Sequence, residues 1–163
     1  MDSIIVFVAQ YFLYLGVIVT ALFWLRCERP TKIELLVRLV VGGVLALALA
    51  NLAAHLYYDP RPFVSEHVKP LFAHARDNGF PSDHALFASL LGFSVLMYSR
   101  KVGAVLLGIA VAVGAARVAA HVHAPVDIAG SFVISALAAL VVQRVTMLAP
   151  VRALWRRQEP NRE

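Results

Sequence analysis

Five apolar runs separated by short polar segments form the main pattern of this chain. They lie at residues 4–25, 39–58, 82–99, 102–120 and 126–148. About 20 consecutive apolar residues are enough to span a bilayer core as an α-helix. The first run is also longer than the apolar core of a signal peptide, so we expect it to be retained as a helix. The pattern predicts an all-α fold: a polytopic membrane bundle of about five transmembrane helices in a single domain, 1–163.

The composition supports this fold class and excludes several others. The chain has 163 residues, of which 60% are hydrophobic and 15% are charged. Soluble domains carry roughly a quarter charged residues and just under half apolar ones, so an ordinary cytosolic enzyme and a disordered chain are excluded. The single Cys27 excludes an intramolecular disulfide and a multi-cysteine metal site. We expect no nucleic-acid partner.

The arginines and lysines are divided unequally between the two sides of such a bundle. The loop at 26–38, the turn at 100–101 and the C-terminal tail share one side. That side holds 11 basic residues: Arg26, Arg29, Lys32, Arg38, Arg100, Lys101, Arg144, Arg152, Arg156, Arg157 and Arg162. The other side holds four: Arg61, Lys69, Arg76 and Arg117. Because basic residues accumulate on the cytoplasmic side, we expect the N-terminus outside, the C-terminus in the cytoplasm and the tail against anionic membrane lipids.

Most of the remaining ionisable residues gather at the outer end of the predicted bundle. All six histidines fall there: His55, His67, His74, His84, His121 and His123. They are accompanied by five acidic residues: Asp59, Glu66, Asp77, Asp83 and Asp127. Ionisable residues at membrane depth are costly to keep, so they are candidates for function.

Two arginines and one helix start at this end are suited to binding phosphate. Arg61 and Arg117 are permanent cations whose planar forks match phosphate oxygens. Ser82 precedes an apolar helix, and the first N–H groups of that helix and its dipole favour an anion. A plain helix-capping role for the Ser82 hydroxyl, and a lipid-headgroup contact for Arg61, are the structural alternatives.

Two histidines and one carboxylate complete the candidate chemistry. His123 and Asp127 are four residues apart, so the carboxylate can accept from one imidazole nitrogen and leave the other free as nucleophile or base. His84 lies in the first turn after Ser82 and can donate a proton. This set describes phosphoryl transfer better than acyl transfer, because no Gly-x-Ser-x-Gly elbow occurs. A metal bound by the histidines is an alternative that two neighbouring arginines disfavour.

Three segments together resemble the type 2 phosphatidic acid phosphatase superfamily of membrane lipid phosphatases. The first is Arg61-Pro62, and the second is 81–84, Pro-Ser-Asp-His. The third is Arg117, His123 and Asp127 with the family spacing intact. The sequences of 59–63 and 77–84 are similar to the branch of bacterial undecaprenyl pyrophosphate phosphatases. The resemblance covers residues 55–127, and the apolar runs on both sides of this span also fit the family.

The chain departs from the family pattern at three positions. Ala54 stands where the family has a lysine, and the adjacent His55 is a candidate to replace that charge when protonated. Asp83 stands where the family has glycine; it is a candidate contact at the phosphate site or a residue that stabilises the start of the helix. Ala116 replaces the usual serine, with little consequence expected.

The resemblance implies a mechanism through a phosphohistidine. His123 attacks the terminal phosphorus, Asp127 holds its tautomer, and His84 protonates the leaving oxygen. Arg61, Arg117 and Ser82 bind the other phosphate oxygens, with neither metal nor other cofactor. The implied substrate is an isoprenoid lipid diphosphate, undecaprenyl diphosphate, which is hydrolysed to the monophosphate during recycling of the cell-wall carrier lipid. The implied location is the bacterial inner (cytoplasmic) membrane.

The sequence is also compatible with other functions. A sibling phosphatase acting on phosphatidylglycerol phosphate, phosphatidate or lipid A would carry the same phosphate-binding motifs. A non-catalytic carrier or scaffold is the alternative from another class, although carriers more often show repeats or broken helices at the midplane. The sequence does not indicate an oligomeric state.

Overall fold

Six helices make up the fold in the computed structural model, which describes residues 1–146. They are α1 Asp2–Arg26, α2 Arg29–Leu56, α3 Pro62–Ser65, α4 Asp83–Leu96, α5 Arg100–Ala119 and α6 Pro125–Thr146. No β-strand occurs among these residues, so the all-α class is confirmed. Five of the helices correspond to the five apolar runs, and the one-turn α3 is an addition. The arginines predicted for the C-terminal tail, and the end of the last run at 147–148, lie outside the described residues.

Four of the helices, α1, α2, α5 and α6, are long and apolar enough to cross a membrane. Many of their large apolar side chains are exposed, as expected of helices that face lipid. The apolar α4 has 14 residues, which corresponds to about 21 Å against a hydrocarbon core of about 30 Å. The protein is therefore a multi-pass membrane protein in which one apolar helix, α4, is shorter than the hydrocarbon core is thick.

The short helix α4 lies at the centre of the bundle, packed against α1, α2, α5 and α6. Small residues allow this close packing: a methyl group added at Gly92 would lie 2.7 Å from Leu107 Cδ2 of α5. On the α6 side, the buried hydroxyls of Ser89 and Ser135 are 2.7 Å apart and share a hydrogen bond. Small residues and interhelical hydroxyl bonds are the usual means of helix packing in membranes, where apolar burial contributes little.

The connection between α1 and α2 corrects one prediction. A loop was expected at 26–38, but only Cys27 and Glu28 lie between the two helices. Pro30 lies in the first turn of α2, where a missing N–H costs no helical hydrogen bond, so it begins α2 and does not interrupt it. All four basic residues of this segment, Arg26, Arg29, Lys32 and Arg38, are therefore helical.

The opposite end of the bundle carries two loops, 57–82 and 120–124, and we call it the loop end. The longer loop folds back onto the shorter one, because Leu71 N donates to Ala120 O at 3.2 Å and Phe63 N donates to His121 O at 3.2 Å. Asn78 fastens the longer loop to the end of α2 by donating to the carbonyls of Ala54 and Tyr57, both at 3.0 Å. The loop end thereby becomes a fixed framework over the starts of α4 and α6.

Candidate active site

The end of α5 turns the chain so that His123 returns toward Arg117. His121 adopts a left-handed backbone with φ 60°. The N–H of Val122 bonds to Arg117 O at 3.2 Å and the N–H of His121 bonds to Val118 O at 2.9 Å. These two bonds form a Schellman motif, in which the left-handed residue is usually glycine. The turn places the His123 side chain beside Arg117, which lies in the last turn of α5.

The start of α6 places a carboxylate against His123. Asp127 lies in the first turn of α6 and is 0% exposed, and His123 is 2% exposed. Asp127 Oδ2 is 3.0 Å from His123 Nδ1 and accepts from the N–H of Ala124 at 2.9 Å. Since a carboxylate only accepts, Nδ1 carries the proton and Nε2 presents its lone pair. The predicted contact between His123 and Asp127 is therefore present, and it fixes the tautomer.

Both predicted arginines converge on the free nitrogen of His123. Arg61 Nη1 lies 3.1 Å from His123 Nε2, and Arg117 Nη2 lies 3.3 Å from it. Both arginines are buried, at 6% and 3% exposure. An imidazole nitrogen that faces two guanidinium groups stays unprotonated and sits where an anion is attracted.

Each arginine is held by further contacts from separate parts of the chain. Arg61 donates through Nε to Asp77 Oδ1 at 2.8 Å and through Nη1 to Val122 O at 2.8 Å. Arg117 donates through Nη1 to Ala9 O of α1 at 3.3 Å. Although desolvation acts in the other direction, the hydrogen bond and charge of Arg61 hold the pKa of Asp77 below its usual range. The two guanidinium groups are thus oriented before any ligand arrives.

The electrostatics of the site favour a neutral imidazole at His123. Burial lowers the pKa of His123, and the charges of Arg117 and Arg61 act in the same direction. The hydrogen bond that His123 donates to Asp127 opposes this shift without reversing it. A neutral imidazole near neutral pH is the form that can act as a nucleophile.

A cavity of about 660 Å³ opens in front of His123. Its polar part is lined by Arg61, Arg117, His84 and His123, so the structure brings these four predicted residues to one space. Its apolar part is lined by residues of α2 that include Leu47, Ala50 and Ala54. The cavity therefore joins a cationic pocket to an apolar helix face.

Three predicted phosphate-binding residues, Asp83, Ser82 and His55, differ in their exposure and in their position relative to the cavity. Asp83 is exposed and lines the cavity. Ser82 is fully buried behind it, and its Oγ has no hydrogen-bond partner, so it makes no side-chain cap on α4. His55 is exposed, is not among the residues that line the cavity, and directs Nδ1 to Asn51 O at 2.8 Å. The structure thus places His55 away from the other candidates.

His74 belongs to this site, although the sequence motifs assigned it no role in catalysis or phosphate binding. Its Nε2 lies 2.9 Å from Arg117 Nη2, and its ring meets that of His123 edge to face at a centroid distance of 5.9 Å. Burial, together with the charges of Arg61 and Arg117, lowers the pKa of His74. The loop contact between Leu71 and Ala120 carries His74 into the site, and no local sequence signal reports that contact.

Comparisons with known proteins identify a family and similar chains. The family model described as the PAP2 superfamily matches residues 35–149. The bacitracin transport permease protein BcrC of Bacillus licheniformis is 33% identical over 144 residues, which cover 87% of this chain and 70% of that protein. Undecaprenyl-diphosphatase BcrC of Bacillus subtilis (strain 168) is 32% identical over 135 residues, which cover 83% and 69% of the two chains.

A solved structure shares the fold. The crystal structure of Aquifex aeolicus LpxE matches with a TM-score of 0.66 and 22% identity, covering 88% of this chain and 87% of that one. The family match spans well over half of the chain and includes the segments that form the cavity. The protein therefore belongs to the PAP2 superfamily, within its undecaprenyl pyrophosphate phosphatase branch, and is a multi-pass membrane phosphatase.

Proposed function

We propose that this protein hydrolyses the terminal phosphate of an isoprenoid lipid diphosphate, undecaprenyl diphosphate, and releases the lipid monophosphate and inorganic phosphate. One observation carries this proposal: His123 Nε2 lies 3.1 and 3.3 Å from two guanidinium groups while Nδ1 is held by Asp127. A nucleophilic nitrogen surrounded by two permanent cations is suited to a phosphoryl group and unsuited to a neutral carbonyl.

The first step transfers the phosphoryl group to the enzyme. His123 Nε2 forms a bond to the terminal phosphorus while the bond from phosphorus to the bridging oxygen breaks. Arg61 and Arg117 stay against the phosphate oxygens, and the buried Asp127 carboxylate stabilises the positive charge that develops on the imidazole. Because the arginines supply fixed positive charge, we propose that the reaction needs no metal or other cofactor.

His84 completes the proton balance of the proposed reaction. It lies in the first turn of α4 and lines the same cavity as His123. We assign it the transfer of a proton to the bridging oxygen as the lipid monophosphate leaves. In the second step a water molecule gives that proton back to His84 and attacks the phosphohistidine, which releases inorganic phosphate.

The start of α4 is assigned to phosphate binding. The backbone N–H groups of its first turn and the helix dipole favour an anion at this position. Ser82 Oγ lies directly before that turn without a hydrogen-bond partner, so we assign it a hydrogen bond to a phosphate oxygen, although Ser82 is fully buried and is not among the residues that line the cavity. Asp83 is assigned to the helix start, since its side chain is exposed and acidic.

The lipid tail is assigned to the face of α2 that lines the cavity. Leu47 and Ala50 extend the cavity away from the arginines, and their side chains are apolar. The relatives named as undecaprenyl-diphosphatases favour an isoprenoid diphosphate over the phosphates of other lipids. With the N-terminus outside, the loop end faces away from the cytoplasm, and the substrate enters from the outer leaflet of the bacterial inner membrane.

A substrate panel tests this function. Purified protein in detergent should release phosphate from undecaprenyl and farnesyl diphosphate in EDTA, at a higher kcat/KM than from phosphatidylglycerol phosphate, phosphatidate or lipid A phosphate. A preference for one of those lipids would replace the proposed substrate with the sibling activity. No release from any lipid in the panel would favour a carrier or scaffold, and strict dependence on added divalent metal would contradict the arginine-based mechanism.

Replacing Arg117 by lysine should impair catalysis even though the charge is kept. A lysine has a single ammonium group, so it cannot contact Ala9 O, His74 and His123 together as Arg117 does. We expect kcat for farnesyl diphosphate to fall roughly a hundredfold, the usual loss when one transition-state donor is misplaced. Arg76→Lys is the matched control, because Arg76 is exposed on the same loop end. Equal activity of the two variants would exclude this role for Arg117.

The acid limb of the pH profile should lie below the usual range for histidine. His123 must be neutral to attack, and burial lowers its pKa from the usual 6.5. As the pH falls through that lowered pKa, His123 is protonated and kcat/KM declines, so activity is retained at pH 6.5. Nuclear magnetic resonance of the His123 ring, assigned with His123→Ala, measures the same pKa free of substrate ionisation. A ring pKa above the usual value would contradict this account.

A further inference from the structure

The carboxyl groups of Asp127 and Asp59 are neighbours on the Nδ1 side of the His123 ring. Each of them has one oxygen without a hydrogen-bond partner. Asp127 uses Oδ2 for His123 and Ala124, whereas its Oδ1 is buried without a hydrogen-bond partner. Asp59 Oδ2 is buried without a partner as well. The two residues are neighbours, because a methyl group at Gly79 would touch both of them, and a hydrogen bond between their side chains is one cause of the raised pKa of Asp59. Two adjacent acceptors that are both unsatisfied require a proton between them.

The loop end is built to bring these two carboxyl groups together. Asp59 N–H donates to Asn78 Oδ1 at 2.9 Å, and Gly79 N–H donates to Asp59 O at 2.8 Å. Gly79 leaves room for the approach, since a methyl group there would lie 2.9 Å from Asp127 Oδ2 and 3.1 Å from Asp59 O. The backbone hydrogen bonds of Asp59 and Gly79 therefore hold Asp59 beside Asp127.

We propose that Asp59 is a protonated positioning residue, whose carboxylic acid donates a hydrogen bond to Asp127 Oδ1. Asp127 is the ionised partner because its Oδ2 already accepts from an imidazole and from a backbone N–H. Asp59 has no such donors on Oδ2, so the shared proton resides there. This inference rests on the function proposed above and adds a third residue to the pair that holds His123.

The charge of the neighbourhood supports this assignment. Burial, and next the charge of Asp127, raise the pKa of Asp59. Besides its partner Asp127 on α6, Asp59 has three charged or titratable groups nearby. They are His123 on the short loop, and Arg61 with Asp77 on the long loop. Arg61 is already engaged with Asp77, so it leaves the two carboxyl groups to share one proton.

A neutral Asp59 has two consequences for the reaction. It satisfies the second oxygen of Asp127, which keeps the carboxylate aimed at His123 Nδ1. It also limits the pair to one negative charge, so that an anionic phosphate is not repelled from the cavity in front of His123. At high pH the pair loses its proton and both advantages are lost together, which adds to the alkaline decline in kcat that the deprotonation of the general acid His84 produces.

Replacing Asp59 by asparagine or by alanine tests the proposal. Asparagine keeps a donor and cannot ionise, so Asp59→Asn should retain most of kcat for farnesyl diphosphate and show a shallower alkaline decline, in which only the part due to His84 remains. Asp59→Ala should lower kcat about tenfold or more, since Asp127 Oδ1 stays unsatisfied, while KM changes little. Glu66→Gln, on an exposed acidic residue of the same loop, is the control and should behave as wild type. Equal losses in the Asn and Ala variants, or an alkaline decline as steep in Asp59→Asn as in wild type, would overturn the proposal.

An infrared difference spectrum tests the protonation without any substrate. Wild type minus Asp59→Asn at neutral pH should contain the carbonyl stretch of a protonated carboxyl group. Absence of that band would overturn the assignment for Asp59 whatever the enzyme hydrolyses. Conversely, a protein that shows the band but hydrolyses no isoprenoid diphosphate would refute the proposed substrate and keep the carboxyl pair.

Discussion

His123→Ala is expected to lower kcat for an isoprenoid diphosphate by on the order of 10⁴-fold or more, the loss seen when an enzyme loses its nucleophile. The reason is geometric: His123 Nε2 is the nitrogen that both guanidinium groups face, and it is the nucleophile in the proposed mechanism. KM should change little, because Arg61 and Arg117 still bind the phosphate. Phosphate release measured over a range of substrate concentrations gives both constants.

The matched control for this variant is another histidine of the loop end. His67 is exposed and has φ 55°, a left-handed conformation that asparagine tolerates, so His67→Asn should keep the wild-type rate. The thermal unfolding midpoint of both variants in detergent separates lost chemistry from lost folding. If folded His123→Ala protein turned over at the wild-type rate, the phosphohistidine mechanism would be wrong.

Asp127→Ala is expected to have the second-largest effect, a fall in kcat of about 10⁴-fold by analogy with the loss of the carboxylate from other histidine–carboxylate pairs. Asp127 is fully buried and is the partner of His123 Nδ1. Without it, the imidazole loses its fixed tautomer and the charge that stabilises the imidazolium. The variant also leaves the Ala124 N–H unsatisfied, so a lower unfolding midpoint is expected alongside the kinetic loss.

Glu66→Ala serves as the control for Asp127→Ala because it removes an exposed acidic side chain from the same end of the bundle. Its kcat and its unfolding midpoint should both match those of wild type. The kinetic loss in Asp127→Ala should persist at temperatures well below its unfolding midpoint. Wild-type kcat in the folded Asp127→Ala protein would show that His123 needs no oriented partner.

Periodic apolar runs predicted the fold class because helix length and apolar content are local properties of the chain. The convergence of Arg61, Arg117, His84 and His123 was also predictable, since each residue lies at or within two residues of a helix end and those ends fall at one end of the bundle. What these residues share is proximity to helix ends, which the sequence marks with proline or with a change in polarity.

The path of the loops was not predictable in the same way. The turn that returns His123 to Arg117 uses a left-handed residue, His121, where glycine is the usual signal. His74 and Asp59 reach the site through hydrogen bonds between residues far apart in the chain, such as Leu71 N–H to Ala120 O. Contacts of this kind depend on the whole assembled loop end, so no motif in the local sequence reports them.

The partners of the buried polar atoms likewise depend on the folded structure and not on the local sequence. The sequence predicted Ser82 as a residue at the start of α4, and it lies there, but its hydroxyl makes no cap. The candidate His55 turns away from the cavity, because its ring bonds to a carbonyl one turn back along α2. Both outcomes reflect side-chain direction, which the spacing of residues along a helix does not determine when several partners compete.

The covalent intermediate on His123 provides the most direct test of the central claim. Wild-type protein mixed with farnesyl diphosphate labelled in its terminal phosphate, and quenched in base within a single turnover, should carry acid-labile label on His123. The same experiment with His123→Ala should give no labelled protein, and label on His84 should be absent from both. Rapid turnover in wild type with no labelled enzyme at any quench time would contradict the account.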